Sequence, residues 1–323
     1  MATYKEIHGV KVQYRDSDAT AVEGDVWYNS GTGKLKMHTY AAGAWASGGN
    51  LNTARAQSSA CGTQTAGQLN AGSPDAGTTF AVICEQYNGS SWTEIADINT
   101  ARFDNASAGT QTAAITYNGS VSPNPSHTVN TESWNGTSWT EVSNLNTSRR
   151  LGGQAGTATA ALLIGGENPG YLANVETYDG SSWTEGPDVT SSRSTMGAGG
   201  TTTACFAAAG NPGPVGTSTL YYDGSSWTEG ADVNTGGKGH AGAGNPTAGL
   251  IFGGQRPGMI AKTEQYDGSS WTEVADLATA RDFENAGCGT QIAALGAGGN
   301  TPPSTNVTEE WDLTIGAQDI AFD

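Results

Sequence analysis

The chain has 323 residues, of which only 14 % are charged, with 47 glycines and a formal net charge of −17. This acidic balance argues against nucleic acid as a general partner, because phosphate binding needs a basic surface. No apolar run approaches the roughly 18 residues that a membrane-spanning helix requires, and the N-terminal MATYKEIHGV lacks the apolar segment of a secretory signal. We therefore expect neither membrane insertion nor signal-directed secretion.

The N-terminal segment differs from the rest of the chain. Residues 24–40 read GDVWYNS, SGTG and KLKMHTY, two strand-like runs around a turn, which predicts a hairpin. Within it, GDVWYNSGTGKL resembles the start of bacteriophage tail-fibre and virion-appendage proteins. The resemblance implies an attachment leader at residues 1–23 and a hairpin extension at residues 24–43.

From residue 40 onward one pattern occurs six times: an aromatic residue, a tryptophan five positions later, and a basic residue about ten positions after that. The aromatic–tryptophan pairs are Tyr40/Trp45, Tyr87/Trp92, Trp134/Trp139, Tyr178/Trp183, Tyr222/Trp227 and Tyr266/Trp271. The basic residues are Arg55, Arg102, Arg149, Arg193, Lys238 and Arg281. The Trp-to-Trp spacing of 44 to 47 residues is the length of one four-stranded propeller blade.

Each repeat predicts four strands, which we call a to d from the basic residue onward. Strand a consists almost wholly of small residues, as suits an innermost strand that crowds its counterparts around a central axis. Strand b ends in a glycine pair or a close equivalent, strand c carries the aromatic residue and strand d carries the tryptophan. Asn-Gly or Asp-Gly between strands c and d supplies the positive φ that tight hairpins need. The aromatic residue and the tryptophan are predicted to pack between blades.

The double glycine, the aromatic residue, the tryptophan and the Asn-Thr-Ala-Arg elements at 52–55 and 99–102 resemble the kelch repeat, over residues from about 40 to 313. WD-type repeats match less well, because no Gly-His and Trp-Asp pattern recurs. Some glycine pairs depart from the kelch pattern, and Lys238 stands for arginine in one copy. The resemblance implies a kelch-like β-propeller, a fold that hosts many unrelated functions.

The ends of the repeat region predict how the ring closes. The last a–b–c triplet ends at Trp311 without a following tryptophan, and the strand around Trp45 has no triplet before it. We therefore expect an all-β, six-bladed kelch-like propeller in which the N-terminal Trp45 strand closes the last blade. The alternative is seven blades, which would draw strands from residues 1–33. The propeller is assigned to residues 44–313 and a C-terminal tail to residues 314–323.

The six basic residues lie just before strand a, so the topology gathers them near one mouth of the central channel. One interpretation makes each a structural tie to a glutamate or to loop carbonyls of its own blade. The other makes them a rim that binds anions, because arginines at the rim of kelch-like proteins can bind acidic partners. Variable, Pro- and Gly-bearing loops between strands b and c are predicted to project from one face as a recognition surface.

No pattern of catalytic residues is recognisable in the sequence. The four cysteines, Cys61, Cys84, Cys205 and Cys288, form no C-x-x-C pair and have no histidine at metal-ligand spacing, so they are interpreted as small buried apolar residues. The four histidines are scattered, and no nucleophile elbow, phosphate-binding loop or calcium loop is present. We expect no metal, no cofactor and no enzymatic activity.

These observations lead to one hypothesis and two alternatives. The hypothesis is a non-enzymatic virion protein, a tail fibre or surface appendage that binds a host surface glycan or protein through its propeller loops. Its N-terminal segment would contact other virion proteins, lysis would place it outside the cell, and the hypothesis allows a homo-oligomer. The alternatives are a propeller enzyme, acting on polysaccharide or as an oxidase, and an intracellular kelch adaptor that binds acidic peptides.

Overall fold

The structure is a computed structural model that describes residues 13–15, 17, 24–40, 42–75, 77–123, 126–211 and 216–320. It divides into two compact units, one made of Met1–Gly43 with Leu313–Asp323 and the other of Ala44–Asp312. Throughout the described ranges, every regular element is a β-strand. Most of the predicted leader at residues 1–23 lies outside the described residues.

The first unit contains one four-stranded sheet. Its strands are β1 (Gln13–Arg15), β2 (Val26–Asn29), β3 (Lys34–Tyr40) and β30 (Ile315–Asp319), in that spatial order. β2 and β3 form an antiparallel hairpin, whose turn is held by Asn29 Oδ1 accepting from the Gly31 and Thr32 N–H groups at 3.0 Å each. The C-terminal β30 pairs antiparallel with β3. β3, the KLKMHTY strand, therefore has a hydrogen-bonded neighbour on both edges within this unit.

The second unit contains six four-stranded antiparallel sheets, the blades, each joined from inner to outer strand. Blade 1 contains β5 (Ser59–Thr63), β6 (Ala66–Asn70), β7 (Cys84–Tyr87) and β8 (Trp92–Ile95). Blade 2 contains β9 (Ala106–Thr110), β10 (Ala113–Tyr117), β13 (Thr131–Trp134) and β14 (Trp139–Val142), with β11 (Ser120–Val121) and β12 (Ser126–His127) paired in its b–c loop. Blade 3 contains β15 (Gly153–Thr157), β16 (Ala160–Ile164), β17 (Val175–Tyr178) and β18 (Trp183–Glu185).

The remaining blades have the same plan. Blade 4 contains β19 (Gly197–Thr201), β20 (Ala204–Ala208), β21 (Thr219–Tyr222) and β22 (Trp227–Glu229). Blade 5 contains β23 (Ala241–Asn245), β24 (Ala248–Phe252), β25 (Thr263–Tyr266) and β26 (Trp271–Glu273). Blade 6 contains β27 (Gly287–Gly289), β28 (Ala293–Ala297), β29 (Thr308–Asp312) and, as its outer strand, β4 (Ala44–Ser47).

The ring closes as the sequence predicts. β4 pairs antiparallel with β29, with Trp45 opposite Trp311 and their ring centroids 5.6 Å apart. Each inner strand contacts the inner strand of the next blade, and β27 contacts β5 to complete the circle. Among the described residues, the seventh four-stranded sheet belongs to the first unit and is not one of the six blades. The six-bladed prediction is confirmed, and the partner of Trp45 is Trp311 rather than Tyr40, which belongs to β3.

The tryptophans join neighbouring blades. In blades 1 to 5 each lies opposite the aromatic residue of strand c, with ring centroids 4.9 to 5.4 Å apart. Several also donate the indole N–H to the adjacent blade, as Trp92 does to Thr308 Oγ1 at 2.9 Å and Trp183 to Thr131 Oγ1 at 3.0 Å. Trp45 donates to Thr263 Oγ1 at 2.8 Å in the same way. These residues therefore hold the ring together between blades.

A truncation tests the division into units. Residues 44–312 alone are expected to fold as a propeller, because β4 is retained and the pairing of β4 with β29 lies wholly inside that range. Residues 51–312 lack β4, which exposes one face of the buried Trp311 and the edge of β29, so we expect a loss of roughly 3–5 kcal/mol of stability and aggregation. Circular dichroism melts with size-exclusion chromatography compare the two chains. An unfolded 44–312 fragment would contradict the division.

Candidate functional site

The d–a connections and the b–c loops lie together at one end of the ring. In every blade, the residue directly after the arginine position of the d–a connection forms a β-bridge. Its partner is the residue that follows the glycine pair of strand b. The six bridges are Ala56–Ser73, Phe103–Ser120, Arg150–Glu167, Ser194–Asn211, Lys238–Gln255 and Asp282–Asn300. We call this end of the propeller the loop face. The a–b and c–d turns lie at the other ends of the same strands.

Four of the predicted rim arginines form buried ion pairs with glutamates. Arg55 pairs with Glu85, Arg102 with Glu132 at 2.7 Å, Arg149 with Glu176 at 2.9 Å, and Arg281 with Glu309 at 3.1 Å. Each of these arginines is 0 % exposed. Burial lowers the pKa of Arg102, Arg149 and Arg281, against the attraction of the paired carboxylates.

The same glutamates also tie down the main chain of the connection. Glu132, for example, accepts hydrogen bonds from the Asn99 N–H at 2.6 Å and the Thr100 N–H at 3.0 Å, besides Arg102. Each arginine–glutamate pair thus locks its d–a connection to strand c of the same blade. These four arginines do not form an exposed cationic rim, because their guanidinium groups are covered and neutralised within the blades.

Lys238 does not occupy the arginine position. In the other blades the arginine carbonyl accepts from the second glycine of a neighbouring pair, as Arg193 O does from the Gly166 N–H at 2.8 Å. In blade 5 the carbonyl in that place is Gly237 O, which accepts from the Gly210 N–H at 2.8 Å. Asn-Thr-Gly-Gly therefore matches Asn-Thr-Ala-Arg, and Lys238 comes one residue later. Lys238, whose side chain is half-buried, is the equivalent in blade 5 of Arg150 in blade 3 and Asp282 in blade 6.

A belt of main-chain hydrogen bonds runs around the channel at the loop face. It joins six residues with positive φ, one per blade: Gln57, Asp104, Leu151, Thr195, Gly239 and Glu284. From Asp104 onward, the N–H of each donates to the carbonyl of the previous one, at 2.8 to 3.0 Å. Left-handed backbone in non-glycine residues is strained, and nothing in the repeat pattern indicated it. The belt links the main chain of neighbouring blades at this mouth.

Three carboxylates meet on this belt. Asp104 is 2 % exposed; its Oδ2 accepts from Arg150 Nη1 at 3.0 Å and its Oδ1 from Gln57 Nε2 at 2.9 Å. Glu284 shares a hydrogen bond with Asp104. Asp282 fits over Gly239, where a Cβ would lie 1.8 Å from Asp282 Oδ1. We call Asp104, Asp282 and Glu284 the acidic cluster.

Burial sets the protonation of the acidic cluster. It raises the pKa of Asp104 to about 6 and that of Asp282 to about 7, and holds the pKa of Glu284 well above its usual range. Arg150 opposes the shift at Asp104 and Lys238 opposes it at Asp282. Carboxyls with strongly raised pKa values are candidates for a functional role. Sequence reasoning missed this cluster, because its members follow the arginines at positions that differ between blades.

Side chains close the middle of the channel. Asn285 Nδ2 donates to the Asn105 carbonyl at 3.0 Å and to the Gly152 carbonyl at 2.9 Å, and Gln154 Nε2 donates to the Ala60 carbonyl at 2.7 Å. Beyond this plug, a cavity of about 130 Å³ opens toward the a–b turns, lined by small strand-a residues and main chain. Cys61 and Cys288 lie on its wall, but burial raises the pKa of both thiols, so they stay protonated and unreactive.

Comparison with known proteins bears on the fold. No protein-family model matches the chain, and no curated protein matches it. Among solved structures it is similar to YjhT, with a TM-score of 0.67 over 84 % of this chain and 99 % of that one. YjhT is a kelch-repeat propeller. The fold is a kelch-like propeller. The two chains share 11 % sequence identity, so the likeness establishes architecture and carries no activity.

The loop face presents hydrogen-bonding groups. Among the described residues, no three His, Cys, Asp or Glu side chains are arranged to hold a metal ion. No helix in the described ranges is long and apolar enough to cross a membrane. The acidic cluster is bonded to Arg150 and Gln57 and partly protonated near neutral pH, so it supplies fixed hydrogen-bonding groups. A second site on this face lies in blade 4, where Arg193 lines a cavity of about 170 Å³.

Proposed function

We propose that the chain is a non-enzymatic virion protein, a tail-fibre or surface-appendage adhesin, whose loop face binds a host surface glycan or protein. The observation that carries the proposal is that the blades differ in sequence at their b–c loops, on the loop face, and agree at their c–d turns, at the opposite end. The c–d turns at the opposite end are copies of one another: the Oδ1 atoms of Asp179, Asp223 and Asp267 each accept from the N–H groups two and three residues later at 2.8 to 2.9 Å. The b–c loops share no such sequence.

Three b–c loops are closed by the same kind of bridge and differ in their tips. In blades 3, 5 and 6 a bridge closes a short turn, joining Glu167 to Tyr171, Gln255 to Met259 and Asn300 to Ser304. The tips are Asn-Pro-Gly, Arg-Pro-Gly and Thr-Pro-Pro. A rigid turn that carries exchangeable residues is suited to recognition, because little conformational entropy is lost on binding.

Exposed groups on this face fit a carbohydrate or protein partner. Tyr171 is 42 % exposed at the base of its loop, and an exposed ring offers a flat face for stacking together with a polar edge. Asn168 Nδ2 donates to the Ser148 carbonyl at 2.7 Å, which holds that loop in place. The adaptor alternative is less well supported, because four of its rim arginines are buried. The enzyme alternative is less well supported, because Asp104 is covered by Arg150 and Gln57.

The virion location and the partners of the N-terminal segment rest on the GDVWYNSGTGKL resemblance. That segment contains β2 and the start of β3, both of which belong to the first unit. In the proposal the first unit attaches to the particle and the propeller binds the receptor.

Two measurements test the proposal. Mass spectrometry and immunogold labelling of purified particles should find the chain on virions, and the purified full chain should bind host cells. Replacing residues 168–171 by Gly-Ser-Gly-Ser should weaken cell binding at least tenfold without changing the melting temperature. The matched control is Ser181→Ala with Ser182→Ala in the c–d turn of the same blade, which should bind as the wild type does. Absence from particles, or binding that no loop-face change affects, overturns the proposal.

A further inference from the structure

Blade 4 breaks the ion-pair pattern of the ring. Four blades have both the buried arginine and the strand-c glutamate. Blade 5 keeps the glutamate, Glu264, but has Gly237 in place of the arginine, whereas blade 4 keeps Arg193 but has Leu220 in place of the glutamate. Leu220 is 1 % exposed and packs in the core. Arg193 therefore lacks the carboxylate that its equivalents have.

In the part of the chain that the structure describes, the hydrogen-bond acceptors of the buried Arg193 are all neutral. It is 4 % exposed; Nη1 donates to the Ser218 carbonyl at 3.1 Å, and Nη2 donates to Ser191 Oγ at 2.7 Å and Ser218 Oγ at 2.8 Å. Within the described residues it makes no ion pair. Burial lowers its pKa, and the more distant Glu229 and Asp232 act in the opposite direction. A buried charge without a counter-ion is unfavourable, so the site favours an incoming anion.

Arg193 lines a cavity of about 170 Å³ in the loop face, which we call the Arg193 pocket. Its wall comes from the d–a connection at Ser191 and Arg193 and from the b–c loop at Ala209–Asn211 and Gly216–Ser218. The volume corresponds to several water molecules, since each takes about 30 Å³ in the liquid. The serine hydroxyls that accept from Arg193 can donate their own hydrogens to a bound oxygen atom.

We propose that the Arg193 pocket binds the carboxylate of an acidic sugar, which makes a carboxylated glycan the receptor class. This assignment rests on the proposed function, because it places the sugar on the receptor. A carboxylate is favoured over other anions because four sister arginines already hold one, and a planar guanidinium matches a planar carboxylate. The polar wall suits the hydroxyl groups of a sugar ring, with Asn211 and Thr217 as hydrogen-bonding partners.

The test uses the purified full chain titrated with sodium glucuronate, with glucose and inorganic phosphate as comparison probes, by calorimetry at low salt. We expect glucuronate to bind at least tenfold more tightly than either probe. Arg193→Met should weaken glucuronate binding at least tenfold. Lys262→Met, which removes an exposed cation whose side chain is 37 % accessible, should leave binding unchanged.

Leu220→Glu keeps the test decisive even if Arg193→Met fails to fold. It supplies the internal carboxylate that the other blades contain, so it should abolish glucuronate binding while the protein stays folded. Wild-type affinity in Leu220→Glu overturns the proposal, as does equal binding of glucose and glucuronate. Tighter binding of phosphate than of glucuronate overturns the carboxylate assignment. The two proposals fail separately: particle proteomics does not involve this pocket, and a neutral-glycan receptor would leave the adhesin role standing without the Arg193 assignment.

Discussion

Replacing Glu132 by leucine is expected to lower the free energy of unfolding by about 3–5 kcal/mol, because it leaves Arg102 buried without a counter-ion. Glu132 is 0 % exposed and accepts from Arg102 Nη2 at 2.7 Å. It also accepts from the Asn99 N–H at 2.6 Å and the Thr100 N–H at 3.0 Å, so two main-chain donors lose their acceptor as well. Urea denaturation at equilibrium measures the loss.

The double variant Arg102→Met with Glu132→Leu is the control, since it removes both charges. We expect it to recover much of the stability, because the penalty comes from the unpaired charge rather than from loss of the pair. Blade 4 suggests a second control. Adding Thr100→Ser and Asn130→Ser to Glu132→Leu reproduces the Ser191 and Ser218 acceptors around Arg193, and should recover part of the loss. A Glu132→Leu loss below about 1 kcal/mol would contradict the structural role of these pairs.

The acidic cluster is expected to make the propeller less stable as the pH rises from about 4 to about 7. The pKa of Asp104 in the folded state is about 6 and that of Asp282 about 7, both raised from 3.8. Well below pH 3.8 both carboxyls are protonated whether or not the chain is folded. Between about pH 4 and 7 the carboxyls of the unfolded chain are largely ionised while the folded chain still holds these protons, so unfolding becomes more favourable as the pH rises. Well above pH 7 both groups are ionised in both states and the penalty is complete.

His240 acts in the opposite sense in part of this window. Burial lowers its pKa from 6.5 to about 4, so its contribution is present above pH 6.5 and is lost as the pH falls toward 4. The variant Asp282→Asn separates the two effects. It should raise the free energy of unfolding at pH 8 by roughly 2–4 kcal/mol and change little at pH 4. The rise of the pKa from 3.8 to about 7, at about 1.4 kcal/mol per pKa unit, sets the upper end, and solvent screening of this half-buried side chain lowers it. Urea titrations at pH 4, 6 and 8 provide the comparison. An Asp282→Asn variant that is equally destabilised at every pH would show that this carboxyl is not titrating in the folded protein.

The architecture was predictable from the sequence because its signals are repeated. A tryptophan every 44 to 47 residues fixes the blade length, and the unmatched ends at Trp45 and Trp311 fix the closure. The same reliance on repetition misplaced the basic residue of blade 5. Lys238 is the nearest cation, but main-chain bonding gives the arginine position to Gly237. In the other copies the arginine lies ten residues after the tryptophan, whereas Lys238 lies eleven residues after Trp227. This difference in spacing could have shown that Lys238 is not the equivalent residue.

The candidate sites were harder to predict because they depend on departures from the repeat. The acidic cluster forms only when the ring brings Asp104 of blade 2 beside Glu284 of blade 6. To predict the Arg193 pocket, one must recognise that Leu220 stands where the other blades have a glutamate. That requires knowing that the arginine and the strand-c residue face each other. The periodicity of the sequence shows neither that Asp104 lies near Glu284 nor that the arginine lies near the strand-c residue. Both sites become visible once the blades are superposed on a common register.

The shared closure of blade 6 has a consequence for how the first unit is attached. That unit leaves the propeller through two covalent connections, one entering β4 at Ala44 and one leaving β29 at Asp312, and these residues are direct partners across the sheet. A protease that cuts only one connection leaves the units linked by the other, as long as β3 and β30 stay paired. A tail or capsid joined to the first unit would thus hold the propeller by a double tether that survives a single nick.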